Sequence, residues 1–303
     1  MVRHVIDLSE NPPAHHTTHR SVWTAFSELI RLRNQSGTWL LMLPTLWALI
    51  LANAGRPPVS LLAVFIAGSF IMRSLGVVLN DLADRDFDRQ VARTKTRPLA
   101  AGTLSLRQGW AVAAVLLVAA AALVMALNPL AILLSPVGLL LAALYPYAKR
   151  TLQLPQAVLG IAFGWGVIMA WAASRAQLAS PAWALFGATI CWAIAYDTIY
   201  ALQDRDDDAR IGVKSAAILF GSYAWIAVGM FLAAMLVLLG FAGYWCSVQP
   251  FYYVVLAFVG VFFAFQVKTL RGPISPPTAF ALFKQHIWAG TVILFGMWVS
   301  VGV

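Results

Sequence analysis

Nine separate apolar stretches, at about 37–54, 59–79, 110–128, 130–147, 156–173, 182–200, 217–241, 251–269 and 285–302, dominate this chain, and each approaches the ~20 residues that a helix needs to cross a bilayer. A continuous apolar run in lipid must satisfy its backbone hydrogen bonds internally, which selects the helix. Composition agrees: 61% of the 303 residues are hydrophobic and 11% are charged, under half of the ~25% usual in soluble domains. The predicted fold is all-α, a polytopic membrane protein of about nine transmembrane helices. Residues 1–30 read as a polar N-terminal tail and 31–303 as one transmembrane domain. The tail's His15, His16 and His19 lack a Cys or an acid to complete a metal cluster, and no signal-peptide core precedes them. Cys191 and Cys246 provide neither a disulfide framework nor a metal-ligand spacing.

The net charge of +9 would suit nucleic acid in a soluble chain, but its distribution points to topology instead. With the N-terminus in the cytoplasm, 18 of the 21 Lys and Arg fall on that side. Arg56 and Arg175 fall on the other, and Arg73 lies within a span. This is the positive-inside pattern; no nucleic-acid partner is expected.

The acids are more informative. Nine of the twelve lie in two short stretches, Asn80-Asp81-Leu82-Ala83-Asp84-Arg85-Asp86-Phe87-Asp88 after the second apolar run and Asp197 to Asp208 at the end of the sixth. If each continues its helix at ~100° per residue, Asn80, Asp84 and Asp88 share a face with Asp81 alongside, and Asp197, Asp204 and Asp208 share another with Tyr200 nearby. Carboxylates so close repel unless a cation joins them. Hard oxygen ligands favour Mg²⁺, which fills its remaining positions with water and phosphate oxygens. The Asp84-x-x-x-Asp88 and Asp204-x-x-x-Asp208 pairs are 120 residues apart. That repetition predicts two pseudo-repeated helical halves whose acidic ends face one another across a central cavity. The bland alternative is that these acids solvate helix ends and pair with neighbouring arginines.

Cations lie close in sequence: Arg93, Lys95 and Arg97 after the first stretch, Lys149-Arg150 after Tyr145-Pro146-Tyr147, and Lys214 after the second stretch. Each could neutralise a leaving diphosphate or serve topology alone. Arg73, seven residues before Asn80, faces the same way and is costly inside a span. It either pairs with Asp81 or Asp84, or recognises an acceptor carboxylate or a diphosphate.

Asn80-Asp81-x-x-Asp84-x-x-x-Asp88 with Arg97-Pro98-Leu99, and Tyr196 through Asp208 with Ile211-Gly212-Val213-Lys214-Ser215, resemble the two signatures of the UbiA family of intramembrane aromatic prenyltransferases. They are most similar to the branch acting on 4-hydroxybenzoate, over about residues 25 to 300. The resemblance implies that Asn80, Asp81, Asp84, Asp88, Asp204 and Asp208 hold Mg²⁺, two ions bridging a polyprenyl diphosphate, with Asp84 and Asp204 central to catalysis. It further implies that Asp197 sits near the aromatic acceptor, and that Arg31, Arg73, Arg97, Tyr145, Lys149, Arg150, Tyr200 and Lys214 bind substrate. Relatives commonly read R-x-D-K-P-I-G-T where this chain has Arg31-Leu32-Arg33-Asn34-Gln35-Ser36-Gly37-Thr38. The implied activity is ortho-prenylation of an aromatic acid with release of diphosphate, for quinone synthesis in a bacterial inner membrane with a cytoplasmic active-site rim. Other acceptors within the family (menaquinone, tocopherol or plastoquinone, haem O, chlorophyll) are the alternatives. A transporter, the rival from another class, would usually carry its acids near the bilayer midplane.

Overall fold

The computed structural model describes residues 22–91, 93–205, 209–210 and 212–301, apart from the Lys149 side chain. The expectations for the histidine-bearing tail, Asp206, Asp207 and Asp208 therefore lie outside the described residues. Those residues form α1 (Val22–Leu29), α2 (Ser36–Ala52), α3 (Val59–Ala83), α4 (Arg85–Asp88), α5 (Leu106–Val124), α6 (Pro129–Thr151), α7 (Pro155–Arg175) and α8 (Ser180–Ala201). They continue as α9 (Ala216–Phe220), α10 (Ala224–Trp245), α11 (Phe251–Thr269) and α12 (Pro276–Ser300). Among the described residues there is no strand.

Every apolar stretch becomes a helix. Among the described residues eight segments are long and apolar enough to cross a membrane, and α2 at 17 residues is a shorter apolar helix. Local chemistry moves several boundaries. Ser105 and Gln108 form a reciprocal capping box that starts α5 at Leu106, four residues ahead of the apolar run, because capping satisfies otherwise unpaired amides. Ser275, followed by two prolines at the first helical positions, starts α12 at Pro276, well before position 285. The seventh run is interrupted: Gly221 has φ +51° and a 3₁₀ turn separates α9 from α10.

The buried core lies where α8 packs on α7 and α10, and where α2 packs on α7 and α12. Trp47, Trp192, Tyr196 and Tyr252 are its largest buried side chains. Trp47 Nε1 donates to the Gly290 carbonyl at 3.1 Å and Trp192 Nε1 to His286 Nδ1 at 2.8 Å, tying α2 and α8 to α12. A second cluster joins Ala25 and Leu29 of α1 to Leu75, Val78 and Leu99, which holds the chain entering α2 against the end of α3.

Candidate functional site

Two connected spaces occupy the end of the bundle where α3 and α8 terminate. The larger is a cavity of about 580 Å³ that runs between α2, α3, α6 and α7. Its polar end is formed by Arg31, Arg73, Asn80, Asp81, Arg93, Arg97, Tyr145, Asp197 and Tyr200, while Leu123, Leu127, Trp165 and Met169 line the apolar remainder. The smaller, about 100 Å³, is lined by Asn80, Asp84, Asp88, Arg93, Arg97, Arg150 and Asp204. Asn80, Arg93 and Arg97 belong to both walls, so the spaces meet at the acidic ends.

The first acidic stretch does not simply continue its helix. α3 ends at Ala83, Asp84 is the junction, and α4 resumes for one turn. The Asp88 amide still bonds the Asp84 carbonyl at 2.8 Å, so Asn80, Asp84 and Asp88 keep their common face. α8 likewise stops at Ala201 and tightens into i→i+3 turns, with Gln203 bonding Tyr200 and Asp204 bonding Ala201, both at 3.2 Å. Asp204 thereby enters the small pocket while Asp197 and Tyr200 stay in the large cavity.

Guanidiniums offset the mutual repulsion of these acids. Arg93, in the loop after α4, reaches across to Asp204 (Nε–Oδ1 3.0 Å, Nη2–Oδ2 2.6 Å) and donates to Tyr200 Oη at 3.0 Å. Burial pulls the Arg93 guanidinium down, but Tyr200 and Asp204 together raise it above its ordinary value. Arg150 reaches Asp84 at 3.3 Å and the Ala83 carbonyl at 2.7 Å, and lies over the Phe87 ring at 4.8 Å. Arg97 bridges Asp88 at 2.8 Å and Asp81 at 3.1 Å. Burial pushes the Asp88 carboxyl upward against the opposing pull of Arg97.

Asp81 differs from the rest of its stretch. Its side chain is 1% exposed, takes a two-pronged contact from Arg31 Nη2 at 2.9 and 2.8 Å as well as the Arg97 bond, and lines only the larger cavity. The sequence expectation grouped Asp81 with the metal ligands; the structure turns it toward Arg31, because the position after Asn80 is rotated by ~100°. Arg31 is held for this contact by its own left-handed backbone (φ +56°) and a bond to the Glu28 carbonyl at 2.7 Å.

Arg73 answers the question the sequence left open. Asp81 and Asp84 are taken by other arginines, and among the described residues no hydrogen bond or ion pair holds the Arg73 guanidinium. It lines the large cavity and rests so closely on Gly37 that a Cβ there would collide with it. Tyr145 and Asp197 line the same cavity. Lys214 lines neither space; its Nζ donates to the Thr151 carbonyl at 2.9 Å, tying its loop to the end of α6.

The residues fit a hard divalent cation in donor chemistry. Asn80 Oδ1 is buried with no hydrogen-bond partner, and an acceptor in that condition beside three carboxylates calls for a cation. Among the described residues no three His, Cys, Asp or Glu side chains form a ready ligand cluster; Asp84, Asp88 and Asp204 are drawn to Arg150, Arg97 and Arg93. Sequence reasoning did not single out Phe280 and Phe283, which α12 brings to the cavity wall, with Phe283 4.9 Å from the Tyr200 ring. The early Ser275 cap was the available signal.

Comparison with known proteins places this arrangement among relatives. The UbiA prenyltransferase family matches residues 41–290. A 4-hydroxybenzoate octaprenyltransferase of Serratia proteamaculans is 43% identical over 94% of this chain and 98% of its own; one of Pseudomonas aeruginosa is 41% identical over 92% and 93%. Among solved structures, a UbiA homolog from Aeropyrum pernix aligns with a TM-score of 0.72 at 27% identity, covering 86% of this chain and 97% of that one. A homolog from Archaeoglobus fulgidus, bound to GPP and Mg²⁺, shares the fold with a TM-score of 0.65 at 16% identity over 89% and 99%.

Proposed function

The chain belongs to the UbiA prenyltransferase family, and from that premise we propose that it transfers a polyprenyl group from its diphosphate to 4-hydroxybenzoate, ortho to the phenol. The observation that carries the choice of acceptor is Arg73: a guanidinium inside a span, lining the cavity with no carboxylate paired to it among the described residues, beside a glycine that leaves it room. A charge at that depth needs a counter-ion, and an aromatic carboxylate supplies one in the two-pronged geometry that arginine favours.

Asn80, Asp84, Asp88 and Asp204 are the described residues that would hold Mg²⁺, with Asp208 as a further ligand carried from the motif. Bound there, Mg²⁺ supplies charge that stabilises the leaving diphosphate. Arg93, Arg97 and Arg150 exchange their carboxylates for diphosphate oxygens. Asp81, already engaged by two guanidiniums, positions Arg31 and Arg97 rather than binding metal.

Arg73 lies seven residues before Asn80 on α3, ~10 Å away along the helix, and Asp197 lies on α8 four residues before its end at Ala201, with Asp204 in the turn beyond. The acceptor therefore lies across the cavity, its carboxylate on Arg73 of α3 and its phenol toward Asp197 of α8. The allylic C1–O bond breaks with its electron pair passing to the diphosphate, and the ortho carbon bonds to C1 as Asp197 accepts the phenol proton. The resulting dienone tautomerises to restore the phenol. Tyr200, Phe280 and Phe283 offer π faces to the developing cation, and the apolar wall excludes water. The rim faces the cytoplasm of a bacterial inner membrane, following the distribution of Lys and Arg.

Comparison of 4-hydroxybenzoate with 4-hydroxybenzamide tests the acceptor assignment. Arg73→Gln is expected to raise KM for the acid at least about tenfold, in line with loss of a charged hydrogen-bond partner, while leaving KM for the amide nearly unchanged. Equal effects on both would remove Arg73 from carboxylate recognition.

A further inference from the structure

The large cavity extends far beyond the acceptor. On α3 its lining runs from Asp81 to Val64, a depth of ~25 Å at the rise of an α-helix, and along one track the residues are Asn80, Gly76, Met72 and Gly68. A Cβ at Gly76 would meet nothing within 4 Å, so this glycine opens directly into the cavity one turn from Asn80. A Cβ at Gly68 would already stand 3.9 Å from Leu123 Cδ1, in ordinary van der Waals contact with the α5 wall. Elsewhere in this distal region, Trp165 is fixed by a 2.9 Å bond from Nε1 to the Leu134 carbonyl and an edge-on contact with Phe186 at 6.3 Å. Trp165 is also packed close to α6, since a Cβ at Gly138 would stand 3.1 Å from its Cδ1.

We propose that the prenyl tail lies along this track and that Gly68 is the residue that determines which donor lengths fit. The proposal rests on the prenyl-transfer reading above. Gly68 is ~18 Å from Asn80 along the helix, and an extended isoprene unit spans ~5 Å by ordinary bond lengths. The first unit therefore passes Gly76, the second Met72, and the third or fourth Gly68. The unbranched Met72 side chain adapts to the irregular contour of the chain. A side chain larger than methyl at position 68 has to enter the tail's path, whereas geranyl diphosphate ends before reaching it.

The test uses the full-length protein in membranes with 4-hydroxybenzoate, Mg²⁺ and geranyl, farnesyl, geranylgeranyl or octaprenyl diphosphate. Gly68→Phe is expected to hold kcat/KM for the geranyl donor within about twofold and to lower it for the geranylgeranyl and octaprenyl donors at least about tenfold, as steric misfit in an apolar pocket does. Gly68→Leu, less demanding of the fold, should show the same threshold in weaker form. Gly76→Leu should depress all four donors together. Uniform effects of the Gly68 variants across donor lengths, or no effect, would place the tail elsewhere, in lipid between the helices near the rim, and overturn the proposal. Failure of the unaltered protein to prenylate 4-hydroxybenzoate with any donor would overturn the functional reading itself.

Discussion

An arginine inside a span is costly and faces a cavity rather than lipid, and Arg73 lines the large cavity with no ion pair among the described residues. The contact with Gly37 suggests a sensitive probe. Gly37→Ala places a methyl group where the guanidinium lies; we expect KM for 4-hydroxybenzoate to rise several-fold with little change in kcat, measurable in the same membrane assay, and an unchanged KM would mean that the guanidinium position is not used. Asp81 is the opposite case, a buried carboxylate serving two arginines. Asp81→Ala leaves Arg31 and Arg97 facing one another. The expected loss of stability is about 2 kcal/mol or more, below the ~3–5 of a fully buried pair because Arg31 and Arg97 are 26% and 22% exposed. A lowered unfolding temperature in detergent would register it, and an unaltered one would contradict it. Both residues were visible in the sequence as charged groups near the acidic stretch, but their partners were not. Spacing predicts which side chains share a helix face, and it cannot say which arginine folds back from a left-handed turn fifty positions away.

Among the elements, existence was legible and extent was not. Among the described residues each apolar run became helical, eight of the segments long enough to span and α2 shorter, because lipid leaves an apolar segment few other conformations. Their ends follow caps rather than hydropathy, as the Ser105–Gln108 box and the Ser275 cap show. The α12 case matters for function, since the added turns carry Phe280 and Phe283 to the cavity. Helix contacts were equally hidden. α7 meets α8 at Gly160, where a Cβ would stand 2.9 Å from Ile190 Cα and 3.0 Å from its carbonyl oxygen; backbone atoms cannot turn aside as a side chain does. Small residues at such crossings let helices approach in membranes. Gly160→Val is therefore expected to cost about 1–3 kcal/mol through overpacking, and an unfolding midpoint equal to that of the unaltered protein would show that α7 shifts freely.

For the molecule as a whole, the feature on which the proposed chemistry rests is the meeting of the two acidic ends around one pocket. The common face of Asn80, Asp84 and Asp88 was readable from sequence, whereas Asp204 leaves the face of Asp197 because α8 ends at Ala201. The arginine network was not readable, because Arg93 and Asp204 are 111 positions apart and nothing in either segment specifies the other. That network offsets the repulsion among the carboxylates: Asp81, Asp84, Asp86, Asp88 and Asp204 each contact a guanidinium. In the proposed reaction these carboxylates would hold Mg²⁺ and these arginines the diphosphate, so donor and metal binding are expected to be mutually dependent. The most direct test of this account is mass-spectrometric measurement of prenylated 4-hydroxybenzoate and released diphosphate, with octaprenyl diphosphate and Mg²⁺, for the unaltered protein, Asp84→Ala and Asp204→Ala, each with and without EDTA. The account predicts equimolar product and diphosphate from the unaltered protein with Mg²⁺, and near-complete loss with EDTA or in either variant; full turnover without metal, or in both variants, would contradict it.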